Sequence, residues 1–73
     1  MCGIVGFAGT RQAAPILLDG LEKLENRGYD SAGLAIEGDG EILVKKQKGR
    51  LRVLREATHN GEDLPGVVGL GHT

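Results

Sequence analysis

The stretch SAGLAIEGDGEILVKKQ, residues 31–47, decides the fold class. Residues 31–36 are mostly small or apolar, residues 37–40 contain two glycines and an aspartate, and residues 41–47 begin a second strand-forming run. Two such runs joined by a short segment rich in Gly and Asp are typical of a β-hairpin. The sequence therefore predicts strands over residues 31–36 and 41–47 that pair antiparallel around a turn at 37–40.

The segment before this hairpin, residues 10–26, has a helical period. Apolar residues fall on one side and charged residues on the other: Leu17, Leu18, Leu21 and Leu24 against Asp19, Glu22, Lys23 and Glu25. Because Pro15 is tolerated only in the first turn, the helix is predicted to begin near Ala13 or Ala14, and Gly28 is a suitable stop. The interior Gly20 predicts a close approach of this helix to the sheet.

The outer segments complete an α+β pattern. Residues 2–8 and 67–70 are almost wholly apolar, which favours short strands buried on both faces. Residues 50–58 predict a short helix, followed by a loop over residues 60–66. The chain stops directly after the last apolar run, so we expect it to be a truncated piece of a larger domain.

Composition limits the classes of function. The 73 residues carry a formal net charge of −1 and a single cysteine, Cys2, so an intrachain disulfide is excluded. His59 and His72 are too far apart in sequence to complete a structural zinc set with that cysteine, and no metal or cofactor is predicted. Without a long apolar run or a signal-type N-terminus, we expect no membrane association and a cytoplasmic location.

The opening Met1-Cys2-Gly3 is the strongest chemical signal. A small second residue permits removal of the initiator methionine, which leaves Cys2 with both a free α-amine and a thiol. The ordinary pKa values of these groups, about 7.7–8.0 and about 8.5, lie close to neutrality, and an N-terminal amine can activate its own nucleophile. The alternative is that Cys2 is a small buried apolar residue, which is the commoner role of a lone cysteine.

Two further clusters have structural alternatives. Arg27-Gly28-Tyr29-Asp30-Ser31 joins the helix to the hairpin; Arg27 could bind a carboxylate, or the cluster could simply stabilise the turn. The second cluster holds six of the nine basic residues: Lys45, Lys46, Lys48, Arg50, Arg52 and Arg55. No aromatic residue is interleaved and the net charge is negative, so we interpret them as a solvated surface and predict no nucleic-acid partner. His72 is interpreted as structural.

The residues CGIVG at 2–6 and LEKLENRGYDSAGLA at 21–35 closely resemble the N-terminal glutaminase domain of the glutamine–fructose-6-phosphate aminotransferase family. The order of elements fits along the whole chain, residues 1–73. The resemblance implies a partial class II glutamine amidotransferase domain, the N-terminal portion of an α/β/β/α N-terminal-nucleophile (Ntn) hydrolase sandwich. The family's sugar isomerase domain is absent from these residues.

The same resemblance implies the chemistry. Cys2 would attack the side-chain amide of L-glutamine to release ammonia, and Arg27 and Gly28 would organise the site. In the full-length parent, a homo-oligomer, the ammonia would convert fructose 6-phosphate to glucosamine 6-phosphate. The family's glutamine-anchoring Arg and oxyanion-hole Asn-Gly lie downstream of His-Thr, so we expect the 73 residues alone to be inactive. A small non-catalytic interaction module is the alternative.

Overall fold

The computed structural model describes residues 3–24, 31–38 and 40–73. Its elements, in chain order, are β1 (Ile4–Ala8), α1 (Ala13–Leu24), β2 (Ser31–Gly38), β3 (Glu41–Lys48), α2 (Leu51–Ala57) and β4 (Val68–His72). The strands form one sheet in the order β1-β4-β2-β3, and all neighbours are antiparallel. The α+β architecture predicted from the sequence is confirmed.

The predicted hairpin is confirmed as β2 and β3. The two strands pair from Ser31↔Lys48 to Gly38↔Glu41. β2 is two residues longer than the predicted strand 31–36, and β3 is one residue longer than the predicted strand 41–47. Gly40 has φ +80, a left-handed conformation that glycine adopts without steric cost and that reverses the chain tightly. β2 is the most buried strand, with Ala32, Leu34 and Ile36 in the core, whereas β3 is an edge strand whose residues are mostly exposed.

The predicted first helix is confirmed as α1. It begins at Ala13 with Pro15 in its first turn, and Leu17, Leu18 and Leu21 are fully buried. A Cβ added to Gly20 would lie 2.9 Å from Cγ1 of Val5, so the predicted close approach to the sheet is also confirmed, against β1. The predicted stop at Gly28 lies outside the described residues.

The second helix, α2, falls within the predicted residues 50–58 and is held to α1 by charge. The guanidinium of Arg55 donates to Asp19 Oδ1 at 3.0 Å and to Glu22 Oε1 at 2.6 Å. Partial burial disfavours the charged guanidinium, but these two hydrogen bonds and their charges outweigh it and raise the pKa of Arg55. Asp19 and Glu22, which look like simple surface charges in the sequence, therefore join the two helices.

The prediction that the first and last strands are buried on both faces is wrong. Exposure alternates along β1 and, up to Leu70, along β4, and Ile4 is 76% and Leu70 48% exposed. The core includes Leu17, Leu34 and Leu54, with Val5 and Phe7 of β1 packed against it on the face that carries the helices. No described residue covers the other face, so the apolar side chains there remain in contact with solvent.

Candidate functional site

The three residues predicted to carry or organise the chemistry, Cys2, Arg27 and Gly28, lie outside the described residues. Their neighbours in the chain are described, however, and these define the surroundings of the candidate site. Gly3 follows Cys2, Leu24 ends α1 three residues before Arg27, and Ser31 begins β2 three residues after Gly28.

These neighbours lie at one end of the sheet, which we call the Gly3 end: β1 and β2 begin there and β4 and β3 end there. The backbone N–H of Thr73 donates to the carbonyl of Gly3 at 3.0 Å. A Cβ on Gly3 would lie 2.6 Å from Cδ1 of Leu24, so α1 ends against the start of β1. Only β4 separates β1 from β2, a distance of roughly 10 Å between the outer two strands. The fold thus brings the described neighbours of both predicted site segments to one end.

His72, for which the sequence pattern indicates only a structural role, lies at this same end. It pairs with Ile4 of β1 on one side and with Gly33 of β2 on the other. The signal available in the sequence was its place at the end of an apolar strand, but the partners of that strand could not be read from the sequence. His72 is half-buried, on the face of the sheet opposite α1 and α2.

Most of the basic cluster is exposed, as predicted. Lys45, Lys46, Lys48, Arg50 and Arg52 are all exposed residues. Lys45 and Lys46 point to opposite faces of β3 because side chains alternate along a strand, so the charges do not form one patch. Arg55 differs from the rest, since it is half-buried and paired with α1.

Two cavities lie away from the Gly3 end. One, of about 410 Å³, lies at the opposite end and is lined by Glu37, Gly38, Glu41, Leu43, Pro65, Gly66 and Val67. The other, of about 220 Å³, is a shallow apolar depression on the open face around Ile42, Val68 and Leu70. Neither is lined by Gly3, Leu24, Ser31 or His72, so neither belongs to the candidate site.

Within ranges 3–24, 31–38 and 40–73, no three side chains of His, Cys, Asp or Glu come together in a way that could hold a metal ion. In the same ranges, no helix is long and apolar enough to cross a membrane.

His59 illustrates a local electrostatic effect outside the site. It is a turn residue with φ +52, and its Nδ1 lies 2.6 Å from Oδ2 of Asp63. The hydrogen bond to Asp63 and the charge of that carboxylate raise the pKa of His59.

We expect this pair to stabilise the fold at pH values below the ordinary histidine pKa, near 6.5, and the contribution to disappear as pH rises through the raised pKa of the folded state. Titration of the His59 ring protons by NMR should give a pKa above that of an unstructured histidine peptide. Asp63→Asn should lower this pKa toward the peptide value, because the hydrogen bond and charge of Asp63 are the main causes of the increase. An unchanged pKa in the variant would show that Asp63 does not act on His59.

No family model matches the chain, but comparison with known proteins finds relatives that share one name. The chain is 59% identical over all 73 residues to the glutamine–fructose-6-phosphate aminotransferase [isomerizing] of Caldanaerobacter subterraneus subsp. tengcongensis. It is 58% identical to the protein of that name from Clostridium tetani and 55% identical to that of Bacillus thuringiensis subsp. konkukian, again over its whole length. The matched region is the N-terminal part of these proteins, and the chain spans 12% of their length.

Proposed function

We propose, from the premise that this chain corresponds to the N-terminal segment of the glutamine–fructose-6-phosphate aminotransferases, that it supplies the nucleophile of a glutaminase site. The substrate of that site is L-glutamine. The ammonia it releases serves, in the complete protein, to convert fructose 6-phosphate to glucosamine 6-phosphate. The same premise supports a cytoplasmic, homo-oligomeric parent protein.

The reaction at Cys2 follows from joining a thiol and an amine in one residue. The α-amine, freed by removal of Met1, takes the thiol proton, and the sulfur attacks the side-chain carbonyl carbon of glutamine. The resulting tetrahedral intermediate collapses as the ammonium group returns its proton to the leaving nitrogen, giving ammonia and a γ-glutamyl thioester. Water then hydrolyses the thioester to glutamate and restores the thiol. Arg27 and Gly28 organise the substrate around this sulfur.

The observation that carries the proposal is the convergence at the Gly3 end. The carbonyl of Gly3, the residue after Cys2, accepts the hydrogen bond from the Thr73 N–H, and Gly3 also contacts Leu24. A nucleophile must be held within a fraction of an ångström of its productive position, which requires rigid neighbours. The start of β1 has such neighbours, and the described residues flanking Arg27 and Gly28 lie at the same end of the sheet.

The open face of the sheet supports the four-layer α/β/β/α architecture as part of this proposal. Five large apolar side chains on this face are exposed: Ile4, Ile42, Val44, Val68 and Leu70. A contiguous exposed apolar surface is typical of an interface. Two sheets packed face to face would bury it, with helices remaining on the outer faces. We propose that a second sheet, formed by the residues that follow this segment in the relatives, occupies this face.

The direct test is covalent labelling of the longer parent protein by 6-diazo-5-oxo-L-norleucine, an electrophile that mimics glutamine. We expect stoichiometric labelling of the Cys2 sulfur, prevented by excess glutamine, and a mass for the N-terminal peptide that lacks Met1. A protein that keeps Met1, or that is labelled elsewhere, would contradict the proposal and favour a non-catalytic interaction module.

A further inference from the structure

We propose that His72 is a positioning residue for the glutaminase reaction. Its imidazole occupies the space above Gly33 and thereby fixes the start of β1, which follows Cys2, relative to the start of β2, which follows Arg27 and Gly28. This inference rests on the proposed function. It assigns a role to a side chain that is neither the nucleophile nor one of the predicted organising residues.

The first support is the register. Ile4, His72, Gly33 and Lys46 form one row across the four strands, and direct partners in antiparallel strands project on the same face. β4 is the strand between β1 and β2, so His72 is the member of that row that contacts both neighbours. Its backbone is paired with both strands, and its ring lies over Gly33 of β2.

The second support is the fit between ring and glycine. A Cβ on Gly33 would lie 2.8 Å from Nε2 of His72, which is too short for an unshifted ring, and 3.4 Å from its Cδ2. The imidazole therefore fills the volume that any other residue at position 33 would occupy. A glycine inside a strand often marks such a close approach. Cγ of Lys46 on β3 would lie 3.1 Å from the same added Cβ, so Lys46 bounds this space on the side of β3.

The third support is a backbone hydrogen bond to Gly3, the residue that follows the proposed nucleophile. Thr73, the residue next to His72, donates its N–H to the carbonyl of Gly3. If the ring is removed or displaced, the end of β4 is freed to shift, and Gly3 shifts with it. A misplacement of about 1 Å costs on the order of 10²-fold in a reaction that depends on alignment. His72 thus acts through the position of its neighbours, with no direct contact to substrate required.

The test uses the full-length parent with two variants at position 72. His72→Ala removes the ring, and His72→Phe retains a planar ring without its nitrogens. We expect His72→Ala to lower kcat for glutamate release by about 10-fold or more, with KM changed by less than about 3-fold, and His72→Phe to restore most of the loss. Leu70→Ala is the matched control, on the same strand and face but two residues farther from the Gly3 end, and should remain near the wild-type rate.

Chemical labelling separates positioning from folding and from thiol reactivity. In His72→Ala, the rate of Cys2 labelling by 6-diazo-5-oxo-L-norleucine should fall with kcat, while the rate with iodoacetamide, which needs no glutamine alignment, should stay within about 2-fold. If His72→Ala does not fold, Gly33→Ala provides the second variant, because it displaces the ring and leaves it present. Gly33→Ala should likewise slow Cys2 labelling by 6-diazo-5-oxo-L-norleucine while the rate with iodoacetamide stays within about 2-fold of wild type.

The inference is overturned if His72→Ala, or Gly33→Ala where that variant replaces it, keeps the wild-type kcat. It is also overturned if His72→Ala and Leu70→Ala lower kcat equally, or if His72→Phe does not restore kcat. In each case labelling of the wild-type protein at Cys2 would leave the proposed function intact. Failure to label wild-type Cys2 would instead contradict the proposed function itself.

Discussion

Replacing Cys2 by alanine should lower glutamate release by the longer protein by at least about 10⁴-fold, the scale of loss seen when a covalent nucleophile is removed. The reason is chemical: alanine retains the α-amine but offers no atom that can form the thioester. The remaining amine cannot substitute, since its role is to move a proton between sulfur and the leaving nitrogen. Glutamate release in a coupled assay measures the effect.

The control for this variant is binding of fructose 6-phosphate, which belongs to a separate domain in the proposed scheme and should be unchanged. The far-ultraviolet circular dichroism of the variant should also match that of the wild type. Glutamate release at the wild-type rate by a correctly folded Cys2→Ala protein would exclude the thiol as the nucleophile.

Replacing Leu21 by alanine should destabilise this part of the protein by about 3 kcal/mol, within the range observed for buried leucines. Leu21 is fully buried on α1, and a Cβ on Gly71 of β4 would lie 2.9 Å from its Cδ1. Because β4 presents a glycine there, Leu21 fills the volume that a larger residue would occupy. Its loss leaves a cavity between α1 and the central strands, which cannot close without moving the helix.

Leu24→Ala is the matched control, since Leu24 lies on the same helix one turn later and is 41% exposed. We expect it to cost less than about 1 kcal/mol, because the removed methyl groups were partly in water already. Hydrogen exchange of the α1 amides in the longer protein reports the local free energy of opening. Equal protection in the Leu21→Ala and Leu24→Ala proteins would show that the core is not packed around Leu21.

The sequence predicted those elements whose signals are local. The hairpin follows from residues 31–47 alone, because two strand-forming runs and a Gly-Asp turn lie within seventeen residues of one another. α1 follows from the leucine spacing, because residues at that spacing share one face of a helix. The resemblance to the aminotransferase family rests on residues 2–6 and 21–35, and the relatives of the same name confirm it.

The sequence did not predict which faces of β1 and β4 are covered. An alternating strand is recognised by contrast between polar and apolar positions, and Ile-Val-Gly-Phe-Ala contains no polar residue. The same composition therefore fits a strand covered on both faces and a strand whose second face is open. Only the packing of both helices on one side of the sheet distinguishes the two.

The amino-acid sequence by itself determined the candidate nucleophile, the helix and the hairpin, since each depends on residues close together in the chain. Tertiary structure alone decided that β4 lies between β1 and β2. Strand order is set by pairings between residues far apart in sequence, such as His72 with Ile4 and Gly33, and no local pattern encodes them. That pairing brings the end of the chain to the carbonyl of Gly3, next to the residue on which the proposed chemistry depends.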